Sequence, residues 1–256
     1  MPITEDIYYH EYKEGDEGQR PPVVLLHGAG GTHLSWPFEI RRLLGYHVFA
    51  LDLPGHGKSA GRGQQSIAGY TTAVKDWMDA LHMHRAVFIG HSLGSAVVLT
   101  LALDYPDQVI GLGILGGAPR LRVAADILEN TSSPTTFHNA VEKIVARSFA
   151  PQAPPQLVEL AGQRMLETRP SVLHGDMLAC DLFDETERVN NIQQPALVLC
   201  GAEDHMTSAR QSQFLATALG NARLVIIPDA GHMVMLEKPV EVADAIRTFL
   251  DEIPDL

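Results

Sequence analysis

Short runs of aliphatic and β-branched residues alternate along this chain with segments whose apolar positions recur three and four apart. Val23 to Leu26, His47 to Leu51, Ala86 to Ile89, Val109 to Leu115, Ala196 to Leu199 and Leu224 to Ile227 have the length and composition of buried strands. The intervening patterns predict helices near Ser35 to Leu44, over Ile67 to His82, over Leu93 to Tyr105 and near Ser208 to Leu219. In the second of these, Ala73, Val74, Trp77, Met78 and Leu81 fall on one face. Leu93 to Tyr105 is apolar nearly all round, as a helix packed deep against a sheet should be. A last helix begins at Pro239, which suits a first helical position, and turns Val242, Ile246, Phe249 and Leu250 inward. Strand, helix and strand in repetition predict an α/β fold with a mostly parallel central sheet flanked by helices.

The alternation stops over residues 119–190. No convincing strand lies there, but two helical patterns do: Phe137, Val141, Ile144, Val145 and Phe149, then Leu157, Leu160, Ala161 and Met165. Pro134, Pro151, Pro154, Pro155 and Pro170 punctuate them. The expectation is a core made of residues 1–118 and 191–256, with a helical lid, 119–190, inserted between two strands of the sheet. No linker sets that segment apart as an independent domain.

Composition narrows the function classes. The 256 residues are 45% hydrophobic and 20% charged, ordinary for a globular chain, so disordered and fibrous readings drop out. The longest apolar run, Ala96 to Leu103, is far short of a membrane span and contains Thr100. Nineteen basic residues against 31 acidic ones give −12, spread over both ends, with no basic stripe for nucleic acid. Cys180 and Cys200 are too few for a disulfide framework or a Cys-rich zinc site. With no basic-then-apolar leader at the start of the chain, the expected compartment is the cytoplasm.

The candidate chemistry centres on Gly90-His91-Ser92-Leu93-Gly94, which follows a strand and opens a helix. In that context Gly-x-Ser-x-Gly is a nucleophile elbow: the tight turn thrusts the serine outward, and side chains at the flanking glycines would collide across it. A serine hydroxyl needs a base to take its proton. Of twelve histidines, His232 stands out, because Asp229-Ala230-Gly231-His232 leaves the carboxyl end of a late strand on the same rim as the elbow. The third member should be a carboxylate that holds the imidazole tautomer. Asp204 meets that need after Cys200-Gly201-Ala202-Glu203, with Glu203 its nearest rival. His91 is expected to point away from the chemistry, and His56 to lie at most at the edge of the site.

The motifs His27-Gly28-Ala29-Gly30, Asp52-Leu53-Pro54-Gly55-His56-Gly57-Lys58-Ser59, Gly90-His91-Ser92-Leu93-Gly94, Gly201-Ala202-Glu203-Asp204 and Gly231-His232 with Glu237-Lys238-Pro239 fall in one order. In that order the chain resembles the α/β-hydrolase superfamily, in its branch of small lidded serine esterases, over nearly its whole length. The resemblance implies an oxyanion hole made by the backbone N–H groups of Ala29 and Leu93. It implies a structural turn for Asp52 to Ser59, with Gly55 and Gly57 at positive φ. It also implies catalysis by Ser92, Asp204 and His232 with no cofactor and no metal. A dinucleotide reading of Gly28 to Gly31 fails, since Gly-x-Gly-x-x-Gly would need glycine where His33 stands.

The elbow residue also sorts the reactions. Related dehalogenases and epoxide hydrolases carry aspartate where this chain has Ser92. The first loop, Gly30-Gly31-Thr32, lacks the Gly-Pro of related carbon–carbon bond hydrolases, and Leu93 is not the Trp of related proline iminopeptidases. The expected partner is a small-molecule carboxylic ester of small to medium acyl length. The alternatives are a lactonase, perhydrolase or carbon–carbon bond hydrolase, an acyltransferase, or a ligand receptor that keeps the triad. Phe137, Met165, Leu166, Met177 and Leu178 are open to two readings, an adaptable apolar ceiling over the substrate or the packed interior of the lid.

Overall fold

The computed structural model describes residues 3–13 and 20–253. In chain order the elements are β1 (Ile3–Thr4), β2 (Ile7–Tyr12), β3 (Val23–Leu26), α1 (Phe38–Arg41), β4 (Val48–Leu51), α2 (Ile67–Ala80), β5 (Ala86–His91), α3 (Leu93–Asp104) and β6 (Val109–Leu115). Four helices follow without a strand between them: α4 (Ala125–Thr131), α5 (Phe137–Ser148), α6 (Pro155–Leu166) and α7 (Pro170–Leu182). The chain then returns through β7 (Ala196–Gly201), α8 (Ala209–Leu219), β8 (Ala222–Ile227), α9 (Val234–Glu237) and α10 (Pro239–Leu250).

Eight strands form one sheet in the order β1-β2-β4-β3-β5-β6-β7-β8. From β4 to β8 every pairing is parallel, and β2 joins β4 antiparallel, so the sheet is mostly parallel, as expected. β3, β4, β5 and β7 are buried along their whole length because helices cover both faces. Alternation sends Val24 and Leu26 into a core shared with α2, α3 and α8, while Val23 and Leu25 face Trp36, Ile40 and α10 on the other side.

Several expectations shift in detail. The helix foreseen over Ser35 to Leu44 is a 3₁₀ turn, His33–Ser35, and a single α turn, Phe38–Arg41. Pro37 separates them, lacking an N–H and crowding the preceding turn. α2 ends at Ala80, and the segment starting at His47 enters its strand at Val48. β5 runs on to His91, so the elbow follows the sheet with no intervening loop. The antiparallel β1 and β2 and the inserted α4 and α7 were not foreseen. Residues 119–190 hold α4 to α7 and are tied back to themselves by the bridge Arg120↔Asp184. Phe137 and Met177 sit in the insertion's own core with Ile127, Val141, Ile144 and Leu173. Met165 and Met177 also line the cavity below, so the two readings of the apolar ceiling meet in these methionines.

Candidate active site

The parallel strands β3, β5, β6, β7 and β8 end on one rim, and the loops that leave them there bring the candidate residues together. Ser92 stands between β5 and α3 at φ 52°, ψ −115°. That conformation costs a non-glycine residue about 1–3 kcal/mol, and the packing around the turn holds it in place. A Cβ on Gly90 would lie 2.2 Å from the Gly94 carbonyl oxygen, and one on Gly94 would lie 2.2 Å from that of Leu26. Only glycine fits at either place. The Ser92 N–H donates to the Leu115 carbonyl (3.0 Å), which straps the elbow to the end of β6.

The next two loops are stitched to each other. Glu203 N–H donates to the Ala230 carbonyl (2.9 Å), and Ala202 N–H to that of Ile227 (2.8 Å). This brings the loop after β7 against the loop after β8, and His232 Nδ1 donates to Asp204 Oδ2 at 2.8 Å. The pair is buried, with Asp204 4% and His232 3% exposed. Asp204 also accepts from the N–H groups of Met206 and Thr207 (both 2.8 Å) and from the Thr207 hydroxyl (2.9 Å). Burial alone would raise the Asp204 carboxyl, but the His232 ring and these donors bring it down to about 2. Glu203, the rival carboxylate, instead accepts from Gln152 at 2.8 Å. With Nδ1–H committed to Asp204, the lone pair of His232 lies on Nε2. No hydrogen bond joins the Ser92 hydroxyl to this ring; both residues line the same cavity of about 640 Å³. Catalytic contacts of this kind often tighten only when substrate binds.

Two residues set aside on sequence grounds turn out to support the site. His91 does not point away. Its Nε2–H donates to the His232 carbonyl (2.9 Å), and the two rings lie 4.8 Å apart. Burial and the neighbouring His232 ring lower its pKa to about 3, so it stays neutral. His56 is not at the edge of the site either. It is 1% exposed, and its Nε2 lies 2.8 Å from Asp176 Oδ2 on α7. Asp176 is fully buried, accepts from the Tyr70 hydroxyl (2.5 Å), and accepts from the Gly30 N–H (2.8 Å) in the first loop. Thr168 donates to the Gly30 carbonyl from the same insertion (3.0 Å). The base of that loop is held by His27, whose Nδ1–H donates to the Gly28 carbonyl (2.8 Å) while Nε2 accepts from Leu53 N–H (2.9 Å).

The loop therefore carries Ala29 in a fixed frame beside the elbow. Among the described residues, neither the Ala29 nor the Leu93 N–H donates to a protein acceptor. Leu93 begins α3, where free donors and the helix dipole favour negative charge. The segment Asp52 to Ser59 forms a turn pinned by Asp52, which takes His33 Nδ1–H (2.8 Å) and the Lys58 N–H (2.9 Å), with Gly55 and Gly57 at positive φ.

The elbow, the paired loops and the first loop follow one pattern, and comparison with known proteins places it. The model of the alpha/beta hydrolase family matches residues 23–245. The chain belongs to this family. A solved structure of a thermophilic esterase is 31% identical, covers 98% of this chain and all of its own, and superposes with a TM-score of 0.81. A solved structure of an enzyme that degrades N-acyl homoserine lactones is 26% identical over 95% of this chain and 96% of its own, with a TM-score of 0.81. The (E)-2-((N-methylformamido)methylene)succinate hydrolase of Acinetobacter baylyi is 25% identical over 93% of this chain and 94% of that protein. These likenesses establish a hydrolase of the alpha/beta fold. No helix among the described residues is long and apolar enough to cross a membrane.

Proposed function

We propose that this alpha/beta hydrolase cleaves carboxylic esters of small to medium acyl length through a Ser92–His232–Asp204 triad. The observation that carries the reading is the buried Asp204–His232 bond, which leaves the basic Nε2 for a cavity that Ser92 also lines. In the first half-reaction His232 Nε2 takes the Ser92 proton as Oγ attacks the ester carbonyl carbon. The carbonyl oxygen becomes an oxyanion, held by the N–H groups of Ala29 and Leu93. Collapse of this intermediate breaks the bond to the alcohol, which leaves with the proton from His232. Water then attacks the acyl-enzyme by the same route, releasing the acid and restoring Ser92. Helices α4 to α7 act as the cap, and apolar side chains such as Ile127, Val145, Met165 and Met177 shape the acyl space.

The esterase with 31% identity supports this choice of substrate. A cyclic ester is the second reading, favoured by the likeness to the lactone-degrading enzyme. It needs no change in mechanism, since the alcohol simply stays tethered to the acid. Two buried free thiols, Cys180 and Cys200, support a cytoplasmic setting. Turnover of p-nitrophenyl butyrate by wild type and Ser92→Ala tests the assignment. Loss of about 10⁴-fold or more in kcat with an unchanged circular dichroism spectrum is expected. More than a few per cent of residual activity rejects it.

A further inference from the structure

We propose that the substrate carries a carboxylate, held at the mouth of the cavity by Arg120, Arg122 and Arg210. The proposal rests on the esterase reading above and specifies its substrate class. The chain as a whole is strongly acidic, at −12. Its cavity reverses that balance: of the basic residues that line it, Arg147 is paired with Asp126 and Arg164 with Glu167, which leaves Lys58, Arg120 and Arg122 against Asp52. Asp52 is fully buried and already engaged by His33 and the Lys58 amide.

Next to this cavity lies a second space of about 310 Å³, which shares Arg120, Arg122 and Gln211 with it and adds Arg210. Arg120, Arg122 and Arg210 line that space, and Arg122 also donates to the carbonyls of Leu121 (2.7 Å) and Asp181 (2.6 Å). Arg120 and Arg122 reach the same oxygen, Asp184 Oδ2, at 3.3 and 3.4 Å. The nearby Asp181 carboxylate is turned to the Val123 N–H (3.0 Å). Arg210 has no carboxylate partner among the described residues. One shared carboxylate does not neutralise three cations, so the mouth holds an uncompensated positive charge. A cleft with one sign of charge concentrates ligands of the other sign, and the planar fork of arginine matches a carboxylate's two oxygens. The main cavity that adjoins it is lined by Leu121, Leu157 and Leu160, apolar surface for an aliphatic spacer between that carboxylate and the ester.

Two matched pairs of substrates test the idea. The first sets monomethyl adipate against methyl hexanoate, with the carboxylate on the acyl side. The second sets 4-(butyryloxy)butanoate against butyl butyrate, with it on the alcohol side. At least one pair should show a tenfold or greater preference in kcat/KM for the anion, mainly through KM. The preference should shrink about threefold or more in Arg210→Gln and Arg120→Gln, and in 0.5 M NaCl. Hydrolysis of the neutral esters without preference in either pair overturns the proposal and leaves the esterase reading standing. A preference that survives both substitutions also overturns it. Failure to hydrolyse all four esters counts against the esterase reading itself.

Discussion

Ser92, His232 and Asp204 are candidates from the chain alone because each sits in a local pattern at the end of a strand. The elbow is the clearest case, since the backbone of one strand-to-helix turn leaves no room for a Cβ at Gly90 or Gly94. Asp204 and Glu203 are adjacent in sequence, and in the structure Asp204 meets His232, 28 residues on, while Glu203 accepts from Gln152. The supporting residues were not legible. His91 reaches a carbonyl 141 residues on, and His56 a carboxylate 120 residues on, contacts that no local pattern announces. The buried rings of His27 and His91 give a pH signature. Burial, together with a neighbouring imidazole in each case, lowers their pKa from 6.5 to about 4 and about 3. Between those values and 6.5 the unfolded chain binds more protons than the folded one, so stability is present above pH 6.5 and is lost as the pH falls. Each ring should remove about 2 kcal/mol of folding free energy at pH 5. His56 has the opposite sense: its raised pKa contributes fully below 6.5 and fades as the pH rises through the raised value. Urea unfolding at pH 7 and pH 5 should give a lower midpoint at pH 5. A midpoint that holds or rises would show that these rings are not buried neutral.

At the scale of elements, β-branched runs and helical periodicity located the parallel strands and their covering helices, because burial on both faces writes itself as unbroken apolar sequence. Two kinds of element escaped. β2, Ile-Tyr-Tyr-His-Glu-Tyr, lies between β4 and the two-residue β1 near the sheet's edge and buries only Ile7 and Tyr9, so its alternation is brief. α7 was hidden because its inward face includes Gly175 and Asp176, which break the apolar rhythm. That polar interruption ties the insertion to the first loop through the Gly30 N–H, beside the Thr168 bond to the Gly30 carbonyl. Asp176→Leu should therefore loosen the loop that carries Ala29. The expectation is a fall in kcat of about 100-fold, the size of losing one oxyanion donor, with KM within about threefold. Asp176→Asn, which keeps an acceptor for Gly30, should recover most of it. Inhibition by a trifluoromethyl ketone should weaken in step with kcat/KM. Lower thermal stability with unchanged kcat in both variants would mean that Asp176 only holds the fold.

At the scale of the molecule, the mostly parallel sheet flanked by helices follows from the alternation of strand and helix, whereas the order of the strands does not. Membership of the alpha/beta hydrolase family accords with motifs spread from His27 to Pro239. The charge arrangement around the cavity was not visible in the sequence. A net −12 reads as a solvated acidic surface, and only the fold brings Arg120 and Arg122, at the start of the insertion, beside Arg210 in the core. The proposed chemistry requires Ser92 to become acylated and His232 to activate it. The most direct measurement is labelling of the intact protein with a fluorophosphonate, followed by mass spectrometry of its peptides. A single adduct is expected, on the peptide containing Ser92, and it should be lost when His232 is replaced by alanine. An adduct on another residue, or ester turnover that continues after Ser92 is fully labelled, would contradict it.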